Sequence, residues 1–97
     1  MSVTETDADA VSMPEQLTLA GAAQTLDRLR SALMGQSGQT VVLDAAPLKV
    51  FDTSAVAVLL ELRNALLSQG KLLRVARMPQ RLQALVTLYG VAELLPV

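Results

Sequence analysis

The stretch "VFDTSAVAVLLELRNALL", residues 50–67, decides the fold. Val50 and Phe51 are apolar and β-favouring, and a long apolar run rich in helix formers begins at Ala55. Between them stand an acid and two hydroxyl residues, Asp52, Thr53 and Ser54. A strand or connector therefore hands over to a helix at "DTS", and that helix is expected from Thr53 to about Ser68. "SQGK" around Gly70 then supplies a C-terminal stop.

Working outward, "PEQLTLAG" sets Leu17 and Leu19 alternately with Gln16 and Thr18, the period of a half-buried strand. "AAQTLDRLRSALMG" spaces Ala22, Leu26, Leu29 and Leu33 as an amphipathic helix closed by Gly35. "TVVLDA" is an unbroken apolar run and reads as a strand buried on both faces. "APLKVF" is a connector broken by Pro47. After the long helix, "KLLRVA" is a further strand. "PQRLQALVTLYG" is a helix opened by Pro79 and closed by Gly90, and "VAELLPV" is a last short strand or docked tail. Such β-α-β-α-β-α alternation predicts an α/β fold: one small, mostly parallel or mixed sheet flanked by three to four helices.

Composition narrows the function. A chain of 97 residues is one domain. Apolar residues supply 52% of it and aromatics 2%, so the core is built from Leu, Val and Ala. One Tyr, one Phe and a net charge of −1 leave no stacking platform in a positive groove, which excludes single-strand nucleic-acid binding. With no Cys and no His there are no disulfides, zinc thiolates or imidazole-assisted nucleophiles, and no metal or cofactor is expected. Residues 1–12 hold Glu5, Asp7 and Asp9 without a basic residue and read as a disordered acidic tail; residues 13–97 are the domain. The start lacks the basic and apolar pattern of a secretory signal, and no run approaches the roughly 18 apolar residues of a membrane span, so the chain reads as cytoplasmic without direct membrane insertion.

The joint itself admits several roles. Amides of a helix's first turn lack partners and carry partial positive charge, so Asp52, Thr53 or Ser54 can cap them. The same geometry displays a hydroxyl as a phosphate acceptor, opposed by the charge of Asp52. A nucleophilic enzyme lacks a base, a phosphate loop and a metal cluster, so no catalytic residue is expected. Beyond the joint, Val56, Val58, Leu59, Leu60, Leu62, Leu66 and Leu67 cover much of the helix and leave only a narrow polar strip of Glu61, Asn64 and Ser68. Such a helix is either deeply buried in its own domain or covered in part by another protein.

"VVLDAAPLKVFDTSAVAVLLELRNALLSQGKLLRVARMPQRLQALVTLYGVAELL" resembles the STAS domain, the family of sulphate transporters and anti-sigma factor antagonists. Its signature is a strand ending in an acid, then Asp-Ser/Thr-Ser/Ala-Gly-Leu opening a helix, a Gly turn, a strand, a helix and a closing "GL..LL". Asp44, "FDTSAV", "QGKLLRVA", "RLQALVTLYGV" and "ELL" match it over about residues 17–96. Ala55 and Val56 stand where the family has Gly and Leu, and one strand, rather than two, is read before the first helix. These features make the chain look most like the MlaB branch. The resemblance implies a non-catalytic protein-binding domain docking on the ATPase subunit of a phospholipid-trafficking ABC transporter, peripheral to the inner membrane through that partner. The implied face comprises Asp52, Thr53, Ser54, Ala55, Val56 and Ala57, with Thr53 at its centre. The alternative it implies is an anti-sigma factor antagonist phosphorylated on Thr53 by a partner kinase.

Overall fold

The structure, a computed structural model, describes residues 11–95. The elements run β1 (Val11–Ser12), β2 (Gln16–Leu17), a 3-10 turn (Leu19–Gly21), α1 (Ala22–Met34), β3 (Thr40–Asp44), β4 (Val50–Phe51), α2 (Ser54–Leu67), β5 (Leu72–Ala76) and α3 (Gln80–Leu88). The α/β class and the three helices are as expected. In place of one sheet there are two small parallel ones, ordered β1-β3-β5 and β2-β4.

Local chemistry ends the helices. Lys71 N–H donates to the Leu66 carbonyl and Gly70 N–H to the Leu67 carbonyl, both at 2.9 Å, with Gly70 at φ +74°. That is the paired C-terminal closure which needs a left-handed residue. Gly90, at φ +72°, closes α3 in the same way, through Val91 N–H to the Val86 carbonyl. Pro79 precedes α3 and, lacking an N–H, leaves no donor unmet at that start.

The core lies between the three-stranded sheet and the helices. α1 packs on β1 and β3, α2 packs on β5, and the two helices pack on each other. Leu17, Leu33, Val41, Leu43, Leu59, Leu62, Leu66, Val75 and Leu82 are its largest fully buried side chains. Each contributes about 1.5–3 kcal/mol through removal from water. The expected core of Leu, Val and Ala forms, joined by Met13 and Met78 and with Phe51 packed against it.

Four readings are corrected. β3 is not buried on both faces: Val41 and Leu43 point inward, while Thr40 and Val42 are exposed, because helices cover only one side of this sheet. Leu19 is not an inward strand residue. It is 78% exposed in the 3-10 turn, where the chain has already left the β2-β4 ladder. The connector before the joint is partly β4, paired with β2 in the register Gln16↔Val50 and Leu17↔Phe51. Finally, Val11 and Ser12, read with the acidic tail, form β1 beside Leu43 and Asp44, so two short strands precede α1. A two-residue strand has no period to display, and its partners lie far along the chain. Residues 1–10, the rest of that tail, lie outside the described residues.

"VAELLPV" is no strand in its described part; it turns back and buries Leu95. No helix among the described residues is long and apolar enough to cross a membrane.

Candidate functional site

The β2-β4 ladder sets the joint beside the 3-10 turn. The Glu15 carbonyl accepts from the N–H groups of Lys49 (2.8 Å) and Val50 (3.0 Å), and Asp52 N–H reaches the Leu17 carbonyl. The chain then turns at Asp52 and Thr53 into α2, with Thr53 already in helical geometry at φ −63°, ψ −17°.

The hydroxyl and carboxylate roles, open in the sequence, separate here. Asp52 is the cap. Its Oδ1 accepts from Ser54 N–H at 2.9 Å and from the Ser54 hydroxyl, and its Oδ2 accepts from Leu19 N–H at 3.1 Å. One carboxylate thus satisfies an open amide of the helix start and ties the 3-10 turn to the joint. The Ser54 hydroxyl, together with the Leu19 and Ser54 amides, holds the Asp52 carboxyl below its ordinary range. It is charged at neutral pH, which suits the positive end of the helix. Thr53 is exposed and makes no side-chain capping bond. Its hydroxyl is available at the surface.

The first turn of α2 has two sides. Ala55 is fully buried and Val56 is 5% exposed, both within the core. Ala55 therefore presents no side-chain surface on the implied face, since the residue points inward by helical periodicity. Val56 reaches the surface only as part of a groove wall. Ala57 is exposed beside Thr53. The burial of Ala55, Val56, Val58, Leu59, Leu62 and Leu66 explains most of the broad apolar character of this helix. It is a helix buried along one side, with Thr53 and Ala57 exposed at its head and Glu61, Asn64 and Leu67 exposed further along.

Grooves flank that head. On one side Thr53 and Ala57 share a groove with Leu19, Phe51, Arg81 and Leu85. The Arg81 guanidinium carbon lies 5.1 Å from the centre of the Phe51 ring, a cation–π contact. On the other side Thr53, Val56 and Ala57 share a groove with Leu60, Tyr89 and Val91. Tyr89 is 54% exposed. Of the expected site residues, Asp52, Thr53, Ser54 and Ala57 line the surface together, and Val56 joins from below.

Sequence reasoning missed Leu19, Phe51, Arg81, Leu85, Tyr89 and Val91. Alternation with Leu17 points Leu19 inward. Phe51 directly precedes the joint, and Arg81, Leu85, Tyr89 and Val91 sit where only tertiary packing brings them to α2. One signal was available: the chain's single Tyr stands next to the stop residue of a helix, where a side chain is seldom enclosed.

Asp44, the acid ending β3, belongs to a different feature. Arg77 donates to it through Nε at 3.1 Å and through a second guanidinium nitrogen, and Ala46 N–H donates at 3.0 Å. The Arg77 bonds are the largest influence holding the Asp44 carboxyl below its usual range. Arg77 adopts φ +54°, the left-handed region that a non-glycine residue enters at an energetic disadvantage, and the ion pair restrains it there.

The head of α2 thus presents an exposed Thr53 between two partly apolar grooves. No curated protein matches the chain. A family model described as "Mlab, STAS domain" matches residues 1–96, and the chain belongs to the STAS-domain family, a family of non-enzymatic regulatory domains that interact with other proteins.

Proposed function

We propose that this chain is an accessory subunit that binds and supports the ATPase subunit of a phospholipid-transporting ABC complex. It docks through the head of α2 and is held at the cytoplasmic face of the inner membrane by that partner. The observation carrying this reading is the exposed Thr53 hydroxyl, free of capping duty, between the Leu19/Phe51/Arg81/Leu85 and Leu60/Tyr89/Val91 grooves. Apolar walls supply area to bury, while Thr53 and charged Asp52 supply hydrogen-bonding specificity at the centre. The MlaB description of the matching family model supports the choice of partner.

The test is capture of tagged protein from its own cell membranes, with wild type beside Thr53→Glu and partners identified by mass spectrometry. Wild type recovers an ABC ATPase with its permease; Thr53→Glu, adding a charge beside ionised Asp52, does not. Unchanged recovery by Thr53→Glu overturns the reading. The same free hydroxyl favours a second reading, an anti-sigma factor antagonist phosphorylated on Thr53. A phosphate there would share its groove with the Arg81 guanidinium. Capture of a soluble kinase, with phosphate found on Thr53, selects that reading instead.

A further inference from the structure

α3 opens with a charge at its unfavourable end. Arg81 is the second residue of that helix, whose first turn holds no acid and whose start takes no side-chain cap. A cation there faces the positive end of the helix dipole, so Arg81 gains nothing from the helix that carries it. The fold nonetheless keeps the residue exposed and restrains its head, with the guanidinium carbon 5.1 Å from the centre of the Phe51 ring. An aromatic ring attracts the charge but offers no lone pair. Among the described residues, the arginine side chains that donate hydrogen bonds are Arg30, Arg63 and Arg77. The five N–H donors of Arg81 therefore meet no acceptor among those residues.

The acid lining the same groove does not answer it. Asp52 forms no ion pair with Arg81. Its two carboxylate oxygens accept instead from Leu19 N–H, Ser54 N–H and the Ser54 hydroxyl. Arg81 is the one cation lining this groove, and the groove on the other side of Thr53 is lined by no charged residue.

We propose, resting on the docking reading above, that Arg81 sets the specificity of the interface. It receives one carboxylate from an Asp or Glu of the ATPase subunit, and an apolar side chain beside that acid seats against Leu19, Phe51 and Leu85. A planar guanidinium holds a carboxylate through two parallel N–H bonds. The Phe51 contact has already restrained the side chain, so less rotamer freedom is lost on pairing. Leu19, 78% exposed, and half-buried Phe51 and Leu85 supply the apolar wall. A basic segment would meet Arg81 as a like charge, and a run of acids would bring further carboxylates against ionised Asp52. A single acid beside an apolar residue satisfies both.

The test is the affinity of full-chain variants for the ATPase–permease complex that wild type recovers from its membranes, titrated over a range of salt. Arg81→Gln should bind about ten-fold or more weakly than wild type and with a shallower dependence on salt. Arg74→Gln removes the same charge from a different groove and should bind as wild type does. Replacing the paired acid of the ATPase by Lys should restore binding to Arg81→Glu. Wild-type affinity in Arg81→Gln, with binding lost in Thr53→Glu, overturns this proposal and leaves the docking reading standing. Equal losses in Arg81→Gln and Arg74→Gln also overturn it, because net charge then explains both. Unchanged binding by Thr53→Glu overturns the docking reading and this inference with it. Far-ultraviolet circular dichroism of each variant checks that the fold is retained.

Discussion

Replacing Ala55 and Ala57 in turn by Leu asks whether the head of α2 truly has one packed and one presented side. The two positions are two residues apart on one helix, and Ala→Leu is nearly neutral in helix propensity, so the contrast isolates environment. Ala55 is fully enclosed, against a core that includes Val58, Leu59 and Leu82. The larger side chain has no space to enter without displacing neighbours from their rotamers, and such overpacking costs about 1–3 kcal/mol. For a domain of this size each kcal/mol moves the melting temperature by about 4–8 °C, so Ala55→Leu is expected to melt roughly 4–24 °C below wild type. Ala57 is exposed, and its substitution should stay within about 0.5 kcal/mol, or roughly 4 °C. Thermal melts followed by circular dichroism read the first quantity. Recovery of the captured partner at a temperature where both variants are folded reads the second. Ala57→Leu should lose partner while keeping stability; Ala55→Leu should do the reverse. Equal melting temperatures for the two variants would refute the division of this helix turn into core and docking sides.

Two further outcomes follow from local geometry. Asp44 is held below its ordinary range chiefly by Arg77, so its contribution is present above the unfolded value near pH 4 and fades as pH falls through the lower folded value. The melting-temperature gap between wild type and Asp44→Asn should therefore be full at neutral pH and close in acid; a gap that persists there removes the ion pair as its source. A methyl group at Gly70 would meet open space, but the residue sits at φ +74°, so Gly70→Ala should cost about 1 kcal/mol through backbone strain alone. A urea titration reads that loss, and an unchanged midpoint would show that the closure of α2 relaxes without a left-handed residue.

What could be read from the chain alone was whatever local chemistry enforces. Gly70 and Gly90 end their helices through backbone conformation, Pro79 opens α3 through its missing donor, and the spacing of Leu29 and Leu33 declares the buried side of α1. Their causes lie within a few residues of their effects, so the order of helices and main strands, and the α/β class, were legible. The joint was legible as a helix start, and Thr53 as its exposed centre through family resemblance. Tertiary structure decided the rest. Whether Asp52, Thr53 or Ser54 caps α2 depended on where Leu19 N–H arrives, and Asp52 took both Leu19 and Ser54, leaving Thr53 free. "TVVLDA" has the same apolar run whether one face or two are covered, and only the placement of α1 and α2 exposes Val42. β1, β2 and β4 are too short to show a period, and their stability comes from partners brought near by the fold. The grooves beside Thr53 belong to this second kind: Leu19, Arg81 and Tyr89 line them only because three separate elements pack around the head of one helix.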